Sequence, residues 1–106
     1  MVVRVVKMTF YADLVESFEE FFEARKDKIK SCEGSAYLEL WQDDIHSNIF
    51  FTCSDWTNET ALVRYRNSAF FSDTWAQTKQ MFAAKAEALS VNKLVVLRTG
   101  LTTFYT

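Results

Sequence analysis

A chain of 106 residues with a formal net charge of −2 has the size of one hydrophobic core and none of the basic excess that holds nucleic acid. Aromatic residues make up 16% of it, ten of them Phe, alongside two Cys, two Gly and no Pro. That composition excludes a disulfide scaffold, and no apolar run approaches a membrane span, so the reading is a single domain over 1–106, cytoplasmic, with neither nucleic acid nor membrane as a partner.

The first segment, MVVRVVKMTF, carries Arg4 and Lys7 and no cleavable apolar leader. Its β-branched residues predict a strand from Val2 to Phe10. Asp13 and Glu16 have capping-box spacing, and Leu14, Phe18, Phe21, Phe22, Ile29 and Cys32 recur at helical intervals behind them. The cations of Arg25-Lys26-Asp27-Lys28-Ile29-Lys30 fall late in that helix, where they suit its dipole as a solvated end. Gly34 is placed as the left-handed residue that closes it. Ser35 to Gln42 alternates and predicts a strand; Asp43 to Asn48 reads as a turn; Ile49 to Trp56 alternates again. Thr57 or Asn58 caps a short helix bearing Ala61, Leu62 and Tyr65, and Ser68 caps a longer one. Phe71, Thr74, Trp75, Thr78, Met81, Phe82 and Lys85 follow one stripe of that longer helix. A last strand is expected from Lys93 to Thr99, with 100–106 continuing it or crossing to a neighbour.

The order β-α-β-β-α-β is that of the split βαβ arrangement, a ferredoxin-like α+β fold with a four-stranded antiparallel sheet and helices on one face. The alternation puts Leu38, Leu40, Ile49 and Phe51 on one face, and Tyr37, Trp41, Phe50 and Trp56 on the other. Helices on one side leave one apolar face of the sheet to water, a patch of several hundred Å² that is rare on a monomer. Covering it is worth on the order of 10 kcal/mol at about 25 cal/mol per Å², before association costs. A homodimer with two sheets face to face is the expected answer.

The stretch DWTNETALVRYRNSAFFSDTW, from Asp55 to Trp75, gathers two Trp and a Tyr where a strand end meets two helices, the kind of corner that walls a ligand cavity. Its Trp, small polar residue, Ala-Leu pair and Ser-x-x-Phe helix start resemble the antibiotic biosynthesis monooxygenase family. The resemblance implies a dimeric α+β barrel with one cavity per subunit between sheet and helices. It also implies kinship with cofactor-independent monooxygenases that oxidise phenols, hydroquinones or anthrone-like polyketides. The haem-degrading branch of that family has Asn, Trp and His where this chain has Val6, Tyr65 and Trp75. An indole nitrogen only donates, so Trp75 does not ligate iron, and haem binding or degradation is disfavoured.

His46, the one histidine, sits beside Asp43 and Asp44 on the turn and reads as solvated. Cys32 and Cys53 have no metal spacing and read as reduced, buried or half-buried thiols. The expectation is no metal and no cofactor. Arg4 lies in register with Val2, Val6 and Met8, and Glu39 lies between Tyr37 and Trp41. If both are buried they form an ion pair, or else one of them orients an acidic or phenolic ligand, or Glu39 removes a proton from an apolar setting. Arg66 either reaches the cavity mouth or, as the preferred reading, is a solvated helix cation.

The leading hypothesis is a small dimeric oxygenase acting on a small aromatic molecule. Tyr65 or Glu39 would handle the proton, and Trp56, Trp75, Tyr37, Phe50, Thr52 and Arg4 would contact substrate. A non-catalytic binding barrel, in which the same aromatics only pack, is the alternative.

Overall fold

Three eight-residue runs of alternating side chains and one of six build the sheet. In a computed structural model that describes residues 1–97, β1 (Val2–Thr9) lies between β3 (Ile49–Trp56) and β4 (Glu87–Asn92), and β2 (Ser35–Gln42) forms the other edge. The order is β2-β3-β1-β4 and every neighbouring pair is antiparallel. Three helices, α1 (Val15–Lys30), α2 (Glu59–Arg66) and α3 (Ala69–Lys79), cover one face. The predicted ferredoxin-like α+β fold is the observed one.

Local chemistry sets the helix ends. Asn58 accepts from the Ala61 backbone N–H at 2.8 Å to cap α2, and Ser68 Oγ accepts from the Phe71 N–H at 3.1 Å to cap α3. The capping box read at Asp13 and Glu16 does not form. Asp13 lies instead in a single 3-10 turn, Ala12–Leu14, Glu16 falls in the first turn of α1, and no side chain caps α1. Gly34 does have a left-handed backbone, φ 86°, but it lies in the turn before β2 rather than directly at the end of α1. A side chain there would collide with Ala61, so the glycine lets the turn run against α2.

Two boundaries differ from the reading. The longer helix stops at Lys79 and the last strand is Glu87–Asn92, ahead of the predicted 93–99. Ala83 and Ala84 have helix propensity, but tertiary pairing overrides it: the Ala83 N–H donates to Thr9 O at 2.8 Å, and Phe82 bridges Phe10. The end of the predicted strand and the segment 100–106 lie outside the described residues.

The pairing also changes which side chains share a face. Leu38 faces Ser54, Leu40 faces Thr52 and Gln42 faces Phe50 across the β2–β3 ladder. Opposed residues point to the same side, so Phe50 and Trp56 join Leu38 and Leu40 beneath the helices. Tyr37, Glu39 and Trp41 join Phe51, Cys53 and Asp55 on the side the helices leave open. That open side also carries Val3, Val5, Leu89 and Val91. An apolar open face therefore exists, built from Tyr37, Trp41 and Phe51 rather than from Phe50 and Trp56. Just past β4, Lys93 reaches back over it to Asp55 Oδ2 at 2.6 Å.

Under the helices lie two buried clusters. Met8, Phe10, Phe18 and Phe50 make one; Trp56, Ala61 and Leu62 make the other, with Cys32 and Tyr65 packed against it. At the surface, Arg25 ties α1 to α3. Its Nη1 donates to Asp73 Oδ2 at 2.7 Å and to Thr74 Oγ1 at 2.8 Å, while the guanidinium lies over the Phe21 and Phe70 rings. Among the described residues, no helix is long and apolar enough to cross a membrane.

Candidate functional site

Between the two clusters the helices and the sheet leave a cavity of about 430 Å³, within the range that holds a small organic ligand. The sheet supplies its floor with Arg4, Val6, Thr52 and Ser54. Helix α1 gives one wall through Phe18 and Phe22, and α2 and α3 give the other through Tyr65, Arg66, Phe71 and Trp75. The lining is mostly carbon, with hydroxyls and two guanidiniums set into it. Among the described residues, no Asp, Glu or His lines it.

The aromatic wall is a connected stack. Trp56 ends β3, is 1% exposed, and its ring lies 4.8 Å from that of Tyr65, nearly parallel. Tyr65 meets Phe71 edge to face at 5.1 Å, and Phe71 stacks on Trp75 at 6.0 Å. The indole of Trp56 needs an acceptor once buried, and Ser54 Oγ supplies it at 3.0 Å. Burial first, and the nearby Cys32 thiol second, push the Tyr65 phenol well above the ordinary tyrosine range. Tyr65 therefore stays neutral at any physiological pH, a donor and acceptor but not a base.

The structure brings together five of the eight residues singled out by sequence. Trp56, Tyr65, Trp75, Thr52 and Arg4 all line the cavity. Phe50 does not; it is buried in the Phe10 cluster next door. Tyr37 and Glu39 are on the far side of the sheet, and Glu39 accepts from Trp41 Nε1 at 2.8 Å. Glu39 is thus no base for this cavity, and the expected Arg4–Glu39 ion pair does not form. The cause is register: a strand side chain moves to the other face with each single-residue shift.

Arg66 corrects the reading in the other direction. It is exposed, yet it lines the cavity. The signal was available, because Leu62, Tyr65 and Arg66 stand at helical positions i, i+3 and i+4 and share a face. Arg4 Nη1 donates to Ser90 Oγ at 3.2 Å, which ties it to β4. His46 is a turn residue: Asp43 Oδ2 accepts from its backbone N–H at 2.8 Å and from that of Ile45 at 3.0 Å. Those bonds hold the Asp43 carboxyl below its usual range. Cys32 and Cys53 are free and half-buried. Among the described residues no three His, Cys, Asp or Glu side chains gather as a metal site.

Compared with curated proteins by sequence, the chain finds no match. Compared with solved structures, it superposes closely on several. A conserved protein from Methanosarcina mazei gives a TM-score of 0.81 at 18% identity, covering 88% of this chain and 93% of that one. A putative antibiotic biosynthesis monooxygenase from Nitrosomonas europaea gives 0.80 at 17%, over 90% and 100%. SnoaB, a cofactor-independent oxygenase from Streptomyces nogalater, gives 0.82 at 16%, over 92% and 97%. At such identities the likeness speaks for the fold alone. The sequence itself matches a family model, antibiotic biosynthesis monooxygenase, over residues 1–77, a span that holds the whole Trp56–Tyr65–Trp75 wall. The chain belongs to the antibiotic biosynthesis monooxygenase family.

Proposed function

We propose that this protein is a cofactor-independent monooxygenase that oxidises a small phenolic or quinol-type aromatic with dioxygen. The observation that carries this reading is the continuous ring wall from Trp56 through Tyr65 and Phe71 to Trp75, facing a cavity of about 430 Å³. Such a wall binds a flat ring by stacking and keeps water from reactive intermediates. An electron-rich substrate supplies the electrons itself. One oxygen atom enters the product and the other leaves as water. The protein's share is to orient the ring and help it lose its acidic proton. Family membership supports the reaction class, and the fold shared with an oxygenase from Streptomyces nogalater agrees with it. Oxygen uptake with a panel of quinols and anthrone-like phenols tests it. Uptake should need protein and fall with Tyr65→Phe; a panel that drives none refutes it.

A non-catalytic binding barrel is the second reading. One fact favours it: among the described residues, the cavity lining lacks any carboxylate or imidazole to take a proton. It predicts saturable ligand binding with no oxygen consumed.

The open face of the sheet supports a homodimer. Trp41, Leu89 and Val91 there are each more than 40% exposed, and a second copy would cover them as two facing sheets. Sedimentation should give twice the chain mass, and Trp41→Asp with Leu89→Asp should shift it toward one chain while the circular dichroism stays unchanged. A wild-type monomer at micromolar concentration refutes the dimer.

A further inference from the structure

We propose that Arg4 and Arg66 form an oxyanion subsite at one side of the cavity, so that the ligand is held with an ionised oxygen, either a carboxylate substituent or its own ionised hydroxyl. The proposal deepens the oxygenase reading and rests on it for the ligand being a flat aromatic.

The argument begins with charge. Two guanidiniums line the same largely apolar cavity, one from β1 and one from α2. Among the described residues neither forms an ion pair with a carboxylate, whereas Lys7, Arg25, Lys26, Arg64 and Lys93 each do. Arg4 feels burial first and the like charge of Arg66 second, both of which lower its pKa, and Glu59 offsets them only in part. Arg4 is half-buried and Arg66 exposed, so water still reaches both, but their like charges repel each other and an anion held between them would relieve that repulsion. A guanidinium presents a planar fork of donors that matches a carboxylate or phenolate oxygen.

The second argument is chemical. A phenol or quinol must lose a proton before it can pass electrons to dioxygen, and among the described residues no carboxylate or imidazole lines the cavity to take it. Glu39 is on the far side of the sheet and Tyr65 stays neutral. Positive charge aimed at the oxygen achieves the same end by making the hydroxyl more acidic, so that its proton passes to water. Arg4 is well placed for this. Its tie to Ser90 holds it on the sheet floor, while Arg66 lines the same cavity from the end of α2.

The test needs no turnover. Calorimetric titration compares 4-nitrobenzoate, 4-nitrophenol above its own pKa, and neutral 4-nitroanisole. The charged probes should bind at least about tenfold tighter than the anisole, the scale of one charge-assisted hydrogen bond. Preference for the carboxylate alone, the phenolate alone or both would identify the source of the oxyanion, and each supports the subsite. Bound nitrophenol should also ionise at lower pH than in buffer, read from the phenolate absorbance. Arg4→Met and Arg66→Met should each cut the preference while leaving anisole binding intact. Arg66→Met changes an exposed residue, so it reports even if the Arg4 variant folds poorly. Equal affinity for all three probes, a preference that survives both substitutions, or no binding of any probe at millimolar concentration would overturn the subsite. Arginine-dependent anion binding with no oxygen uptake would instead sink the oxygenase reading alone. Uptake indifferent to both arginines would sink the subsite alone.

Discussion

The two aromatic clusters beneath the helices are both apolar but have different obligations. Around Phe10 the rings are all phenyl: Phe18 stacks on it at 4.0 Å, and Phe50 and Phe82 meet it at 5.8 and 5.4 Å. None carries a polar atom, so the cluster needs nothing but dense packing. Around Trp56 the rings are an indole and a phenol, each with a polar group to satisfy, and they look onto empty space. The difference is one of chemistry rather than place, since Met8 and Phe18 of the first cluster also line the cavity: one cluster only packs, and the other brings polar groups to a ligand.

Substitutions can sharpen or break that contrast. The largest effect should come from Phe10→Ala, which removes a fully buried ring and should cost about 3–5 kcal/mol in urea unfolding. A loss below about 1 kcal/mol would show that the phenyl cluster does not carry the fold. Next is Gly34→Ala, which puts a side chain at φ 86° and against Ala61 of the Trp56 cluster. It should cost about 2 kcal/mol, half or more from the left-handed backbone alone. Asn58→Ala loses the cap that starts α2 and should lower stability by about 1 kcal/mol.

Tyr65→Phe should have the smallest effect on stability at neutral pH, under about 1 kcal/mol, and should show itself in alkali. The folded-state phenol titrates above its unfolded value. Its contribution is whole below the ordinary tyrosine pKa and is lost as pH rises beyond it toward the folded value. The wild type should thus lose stability through the alkaline range, and Tyr65→Phe should lose less. Identical alkaline limbs in the two proteins would mean that the hydroxyl is not shielded.

Much of this contrast was legible in the residues. Asn58 and Ser68 named the starts of α2 and α3, because a capping side chain declares itself locally. The stripe Phe71, Thr74, Trp75 and Thr78 was read onto one helix face and does line the cavity. Register between β2 and β3 was not legible. The six-residue turn from Asp43 to Asn48 fixes no offset, unlike a two-residue hairpin, so Tyr37 and Glu39 were placed on the wrong side of the sheet, while Phe50, on the side of Trp56 as read, packs into the Phe10 cluster instead of lining the cavity. Nor was the end of α3: Met81 and Phe82 continue its helical pattern, and only contact with Phe10 and Thr9 ends it. A place for Arg66 at the cavity mouth was read only as the second choice, because a charged residue on a short helix is usually solvated. Its spacing from Leu62 outweighed that habit.

The clasp made by Arg25 has a consequence for how a guest enters. Its bonds to Asp73 and Thr74 lie at the rim, and water replaces such bonds at little net cost. The floor is different, because Arg4 and Thr52 stand on strands laced on both sides by backbone ladders. If a guest needs more room, the least costly place to make it is the ceiling, between α3 and α1, because the groups on the floor are held by the sheet. An arriving ring meets a yielding lintel and a rigid hearth.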